Sequence, residues 1–137
     1  MKVFVDTNVW LAGRFGRGLC ADLLDLLILE DVDIIIDERV REEFCRIATG
    51  KFGVDVETMA VADGFFEQHT HIVKAGRQPT PGVPDPDDAW IIAAAIEHGA
   101  DVFVTGDKAL LALGRLEDLV ILEPRALFVH LRSCRAD

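Results

Sequence analysis

The chain has 137 residues, half of them apolar, and its 24 acidic against 14 basic side chains give a formal net charge of −10. That length supports one domain with a real core, taken here as a single unit over residues 1–137. The longest apolar run, Ala89 to Ile96, falls far short of the roughly 20 residues a membrane span requires, and the acidic balance argues against tight nonspecific binding to long duplex DNA.

In chain order, Lys2 to Val5 alternates and ends at Asp6, a short first strand. Gly13, Gly16 and Gly18 then punctuate a segment expected to be a loop. Leucines at helical spacing predict a helix over Leu19 to Glu30. Val32 to Ile36 is a β-branched run, a second strand buried on both faces. Asp37 caps a helix whose apolar stripe is Val40, Phe44 and Ile47. Val54 to Gln68 reads as another helix, capped by Asp55, and His71 to Lys74 as a weak third strand. Arg77 to Pro86 is rich in proline and glycine, a loop long enough to suggest function. Asp87 or Asp88 opens a strong helix that runs through His98 and stops at Gly99. Val102 to Val104 is a fourth strand, Lys108 to Leu113 a short helix, Val120 to Leu122 a fifth strand, and Pro124 starts a last helix to about Leu131. Strands alternating with helices predict an α/β fold with a parallel sheet of about five short strands covered on both faces.

Four acids fall where such a sheet delivers side chains to the crevice beyond its strand ends. Asp6 follows the first strand and Asp107 the fourth, after Thr105-Gly106. Asp88 lies at a helix start, and Glu43 borders the buried face of the helix after the second strand, with Glu42 turned toward solvent. Each has a bland alternative: Asp6 as a helix cap or turn residue, Glu43 as a solvated helix glutamate, Asp88 and Asp107 as helix caps. Their conjunction favours a site. Two carboxylates about 5 Å apart repel by roughly 3 kcal/mol at an effective dielectric near 20. A cluster of four therefore calls for protons or a hard divalent cation. Oxygen donors without a histidine or cysteine set suit Mg²⁺ or Mn²⁺ over zinc, and such an ion serves phosphodiester hydrolysis.

The segments Val3-Phe4-Val5-Asp6-Thr7-Asn8-Val9, Glu42-Glu43-Phe44, Asp85-Pro86-Asp87-Asp88-Ala89 and Val104-Thr105-Gly106-Asp107-Lys108, with the ending Ile121-Leu122-Glu123-Pro124-Arg125, resemble the PIN domain family. The match is closest to small stand-alone members of the VapC toxin type. The resemblance implies a three-layer α/β/α sandwich and a metal-dependent ribonuclease acting on RNA. By position, Asp6, Glu43, Asp88 and Asp107 are the implied catalytic and metal-binding acids. Asp6 and Asp107 would hold the principal ion, with Asp85 and Thr105 as accessory positions. A VapC-type role further implies a small antitoxin partner and a homodimer. Many relatives carry another acid two residues after the position of Asp107, where this chain has Ala109, which implies a weakly held second metal. Asp37 stands where relatives often have serine. A non-catalytic RNA-binding or protein-interaction module on the same fold is the alternative. A receiver-like phosphate-transfer domain ranks lower, since it explains neither Glu43 nor the acids at the helix start.

Other features carry less. Asn8, Arg14, Arg17 and Lys108 are candidate substrate contacts beside the acidic motifs. His69 and His71 would share a strand face away from the acids, so a surface pair is expected. Trp10 and Trp90 are expected to pack. The sole serine, Ser133, has no catalytic partners. No zinc spacing links Cys20, Cys45 and Cys134, and no signal peptide is visible, so a cytoplasmic protein is expected.

Overall fold

The computed structural model describes residues 1–74 and 76–136, with side chains described as far as Ser133. Among them, six strands alternate with seven helices. The order is β1 (Lys2–Val5), α1 (Thr7–Phe15), α2 (Leu19–Leu29), β2 (Asp33–Asp37), α3 (Glu38–Gly50), α4 (Val56–His69), β3 (His71–Val73), α5 (Pro86–Glu97), β4 (Val102–Val104), α6 (Lys108–Leu113), β5 (Arg115–Leu116), β6 (Leu119–Leu122) and α7 (Pro124–Ala136).

The sheet runs β3-β2-β1-β4-β6-β5. Its first five strands are parallel, and β5 is an antiparallel edge on β6. In register, Phe4 of β1 lies beside Ile35 on one side and Phe103 on the other. The Phe4 and Phe103 rings stack at 5.4 Å. Successive residues of β1, β2 and β4 are buried rather than alternating, which requires helices on both faces of the sheet. The fold is an α/β sandwich around a mostly parallel sheet, as the alternation of elements predicts. No helix among the described residues is long and apolar enough to cross a membrane.

Two sequence expectations are corrected, and one strand is added to the about five expected. The glycine-punctuated segment is largely helix: α1 covers Thr7–Phe15, and the connection to α2 shrinks to Gly16–Gly18. A Cβ on Gly13 would run into the Leu24 side chain and lie 3.1 Å from the Cys20 carbonyl. This glycine therefore marks a close crossing of α1 over α2, not a turn. The sheet has a sixth strand, β5, too short to produce a periodic signal. His69 ends α4 instead of sharing a strand with His71. Its ring lies 4.9 Å from that of Phe65, while His71 Nε2 lies 3.4 Å from Asp33.

The strand order reverses between β1 and β4. β2 and β3 extend the sheet on one side of β1, and β4 and β6 on the other. In open parallel sheets such a switch point leaves a crevice at the carboxyl ends of the two strands. The residues that immediately follow β1 and β4 are Asp6 and Thr105.

Candidate active site

Asp6 is held at the switch point from both sides. Its backbone N–H donates to the Val104 carbonyl at 3.0 Å, extending the β1–β4 ladder by one residue. Its Oδ1 accepts from Thr7 N at 2.8 Å, which caps α1, and its Oδ2 accepts from the Thr105 hydroxyl at 2.7 Å. The same hydroxyl oxygen accepts from Asp107 N at 3.0 Å. Thr105 is fully buried, so one hydroxyl fixes both the carboxylate after β1 and the backbone that carries the carboxylate after β4. Asp107 Oδ1 in turn accepts from Ala109 N at 2.8 Å and Leu110 N at 3.2 Å, capping α6.

Asp88 lies in the first turn of α5, but it does not cap it. Asp85 does, with Oδ1 accepting from Asp87 N at 2.8 Å and Asp88 N at 3.3 Å, and the helix starts at Pro86 instead of at Asp87 or Asp88. The half-buried Asp88 side chain is thereby left free of the capping role, while Asp87 is exposed. On α3, Glu43 is half-buried and Glu42 exposed, as the helical stripe predicts.

The electrostatics tie these acids together. Burial raises the Asp6 carboxyl above its ordinary range; the bonds from Thr105 and Thr7 oppose this, and the charges of Glu43 and Asp107 add to it. Asp88 is pushed up to about 6, first by burial and then by Asp6, Asp85, Asp107 and Glu43. Asp6, Glu43, Asp88 and Asp107 thus feel one another across a single locale. Among the described residues, however, no three Asp, Glu, His or Cys side chains converge closely enough to cage an ion unaided. The donor set still fits a hard divalent cation. Its donors are carboxylate oxygens, and a cation offsets both the burial and the mutual repulsion that raise Asp6 and Asp88. Mg²⁺ in particular binds through one or two carboxylates and keeps several waters.

The candidate substrate contacts separate. Lys108 is exposed beside Asp107, and Asn8 is exposed on the first turn of α1. Arg14 lies two turns further along α1, where its guanidinium stacks 4.3 Å above the Phe65 ring. Arg17 is exposed in the turn beyond. Trp10 is fully buried and packs edge-on against Phe66 at 5.0 Å. Trp90 is half-buried under the Arg39 guanidinium at 4.8 Å. Sequence reasoning passed over Arg39 and Arg46, which flank Glu43 on α3. Their spacing of one helical turn on either side was the available signal.

A family model described as PIN domain matches residues 2–109. No curated protein matches the chain. Among solved structures, VapBC2 from Rickettsia felis, crystallised bound to a DNA fragment from its promoter, is similar at a TM-score of 0.61 and 16% identity, covering 90% of this chain and 98% of that one. The PIN domain endonuclease Utp24 is similar at 0.52 and 16%, covering 89% and 84%. FitAcB from Neisseria gonorrhoeae is similar at 0.50 and 18%, covering 89% and 97%. At these identities the structural likeness establishes a shared fold.

Proposed function

Because the chain belongs to the PIN domain family, whose members are generally nucleases, we propose that it is a Mg²⁺- or Mn²⁺-dependent endoribonuclease and the toxin of a toxin–antitoxin pair. The observation that carries this reading is the Thr105 hydroxyl bridging Asp6 and Asp107 at the sheet's switch point, with Glu43 and Asp88 in electrostatic contact with the same carboxylates. Asp6 and Asp107 are the principal metal-binding acids, and Asp88 and Glu43 complete the site directly or through water. Asp85 acts through the α5 cap. A bound divalent cation supplies Lewis acidity and charge neutralisation at a phosphodiester. Glu43, on a helix instead of a strand end, orients the attacking water and accepts its proton. Thr105 keeps the Asp6 carboxylate in one orientation.

An antitoxin partner is supported by likeness to VapBC2 and FitAcB. It is also supported by an apolar groove of about 380 Å³ between α1 and α3, lined by Leu11, Phe15, Ile47 and an exposed Phe52. The homodimer and the cytoplasmic location belong to the same proposal.

The test is cleavage of single-stranded RNA by the purified chain with Mg²⁺ or Mn²⁺, with a chelator as control. Asp6→Asn abolishes metal-stimulated cleavage while leaving the circular-dichroism spectrum unchanged. Mn²⁺ raises the melting temperature of the parent by mass action and has a much smaller effect on Asp6→Asn. Cleavage that survives the substitution overturns the assignment. The second reading, a non-catalytic RNA-binding or interaction module, draws on Ala109; it predicts neither cleavage nor a response to Mn²⁺.

A further inference from the structure

A cleft of about 280 Å³ opens between α3 and the start of α5, lined by Arg39, Glu42, Glu43, Arg46, Asp87 and Ile91. It adjoins the acidic locale through Glu43 and through Asp87, the neighbour of Asp88. Arg39 and Arg46 stand two helical turns apart on α3, about 10 Å along its axis, with Glu43 between them. Both are exposed. Among the described residues neither forms an ion pair, whereas Arg41, on another face of the same helix, is engaged by Asp63 at 3.3 Å and Glu67 at 3.1 Å. Beside the cleft, the Arg39 guanidinium lies over the Trp90 ring, and the largely buried Ile91 contributes to the lining.

Exposed guanidiniums bracketing Glu43, next to a half-buried indole, suit a single nucleic-acid strand. Phosphates take the charges, and unstacked bases take the aromatic and apolar surface. In a chain of net charge −10, two arginines on one cleft wall beside a carboxylate site supply local positive charge where a phosphate chain needs it. Glu42, Glu43 and Asp87 line the same cleft and oppose phosphate, which restricts the favourable path to the line of the two arginines.

We propose that this cleft is the seat of the RNA strand, with Arg39 and Arg46 binding the phosphates on either side of the scissile bond and the Arg39–Trp90 stack supporting a flanking base. The proposal rests on the ribonuclease reading and names positioning residues for that same site.

The experiment measures binding apart from cleavage. A fluorescein-labelled single-stranded oligoribonucleotide is titrated, by anisotropy and over a range of salt, with Asp6→Asn protein and with that protein also carrying Arg46→Gln, Arg39→Gln or both. The double variant should bind about tenfold more weakly, and its log affinity should depend on log salt with a slope shallower by about 1.4, from two phosphate contacts on a single strand. Arg46 is exposed, so Arg46→Gln alone folds normally and should lower the slope by about 0.7. Arg39→Lys keeps the charge and should keep the slope, losing only the stacked orientation. Unchanged affinity and slope in the double variant overturn the cleft while leaving the ribonuclease reading intact. Parent protein that neither binds nor cleaves RNA overturns both. Loss of binding to a labelled polyglutamate peptide, with RNA binding retained, assigns the arginines to an acidic protein partner and overturns the proposal.

Discussion

Asp37 closes β2 with its side chain wholly buried. Its Oδ1 caps α3 by accepting from Val40 N at 2.8 Å, and its Oδ2 has no hydrogen-bond partner among the described residues. Burial pushes its carboxyl up to about 6; the α3 amide bond and Arg39 act against the shift, and Glu38 adds to it. The folded chain therefore holds this proton more tightly than the unfolded chain does. The stabilisation is complete below about pH 4 and is lost as the pH rises toward about 6, with no further change above. Asn caps a helix about as well as Asp. Asp37→Asn should therefore raise unfolding free energy at pH 7.5 by about 1 to 3 kcal/mol, reduced by whatever the unpartnered amide costs, and give no gain at about pH 4. Urea melts of both proteins across that range check it, and an equal effect at both ends would refute the buried proton. A second prediction concerns the bridge. Thr105→Val keeps the volume but removes the hydroxyl shared by Asp6 and Asp107, which should lower stability by about 1 to 3 kcal/mol and weaken the Mn²⁺-induced rise in melting temperature. Of the candidate acids, Asp6, Asp88 and Asp107 were legible because they follow strands or start helices in the pattern of the sequence, and Glu43 because it borders the apolar stripe of α3. The burial of Asp37 was not: a capping aspartate is usually solvated, and one-dimensional spacing does not reveal what packs over it.

The elements that were easiest to read had a clear start signal, as in α3 and α4, each with an aspartate cap, α3 also with an apolar stripe. The one missed outright, α1, contains a glycine selected by contact with α2, and contact between elements leaves no local signature. Gly76 shows the same physics in the long segment before α5. A Cβ there would stand 2.7 Å from Ala93 Cβ, 2.9 Å from Ala94 N and 3.0 Å from the Trp90 carbonyl. Two of those three atoms are helix backbone and cannot rotate away. Gly76→Val should therefore push the segment off α5 and destabilise the fold by about 1 to 3 kcal/mol, the usual range for overpacking. Because Asp88 rides on the first turn of α5, the Mn²⁺ response should weaken with it. Urea denaturation together with the Mn²⁺ thermal shift tests this. Unchanged stability would mean that the segment does not lie tightly against the helix.

At the scale of the molecule, alternation of strands and helices was enough to predict a parallel sheet. The strand order that brings β1 beside β4 is set by long-range packing, which periodicity does not reveal. The order matters for charge as well as shape. It gathers Asp6, Glu43, Asp88 and Asp107 at one edge of a chain that is already strongly acidic. Duplex DNA presents two strands of phosphate, and a rigid duplex cannot follow one narrow line of cations without bringing its second strand against acidic surface. A flexible single strand can. Excess unlabelled duplex DNA should therefore fail to displace the labelled single-stranded oligoribonucleotide from Asp6→Asn protein at roughly physiological salt, where nonspecific duplex binding depends on many phosphate contacts. An unlabelled single strand of the same length should displace it fully. Displacement by duplex at concentrations comparable to the single strand would show that a broad basic surface exists, and that two arginines in one cleft do not account for where nucleic acid sits on this chain.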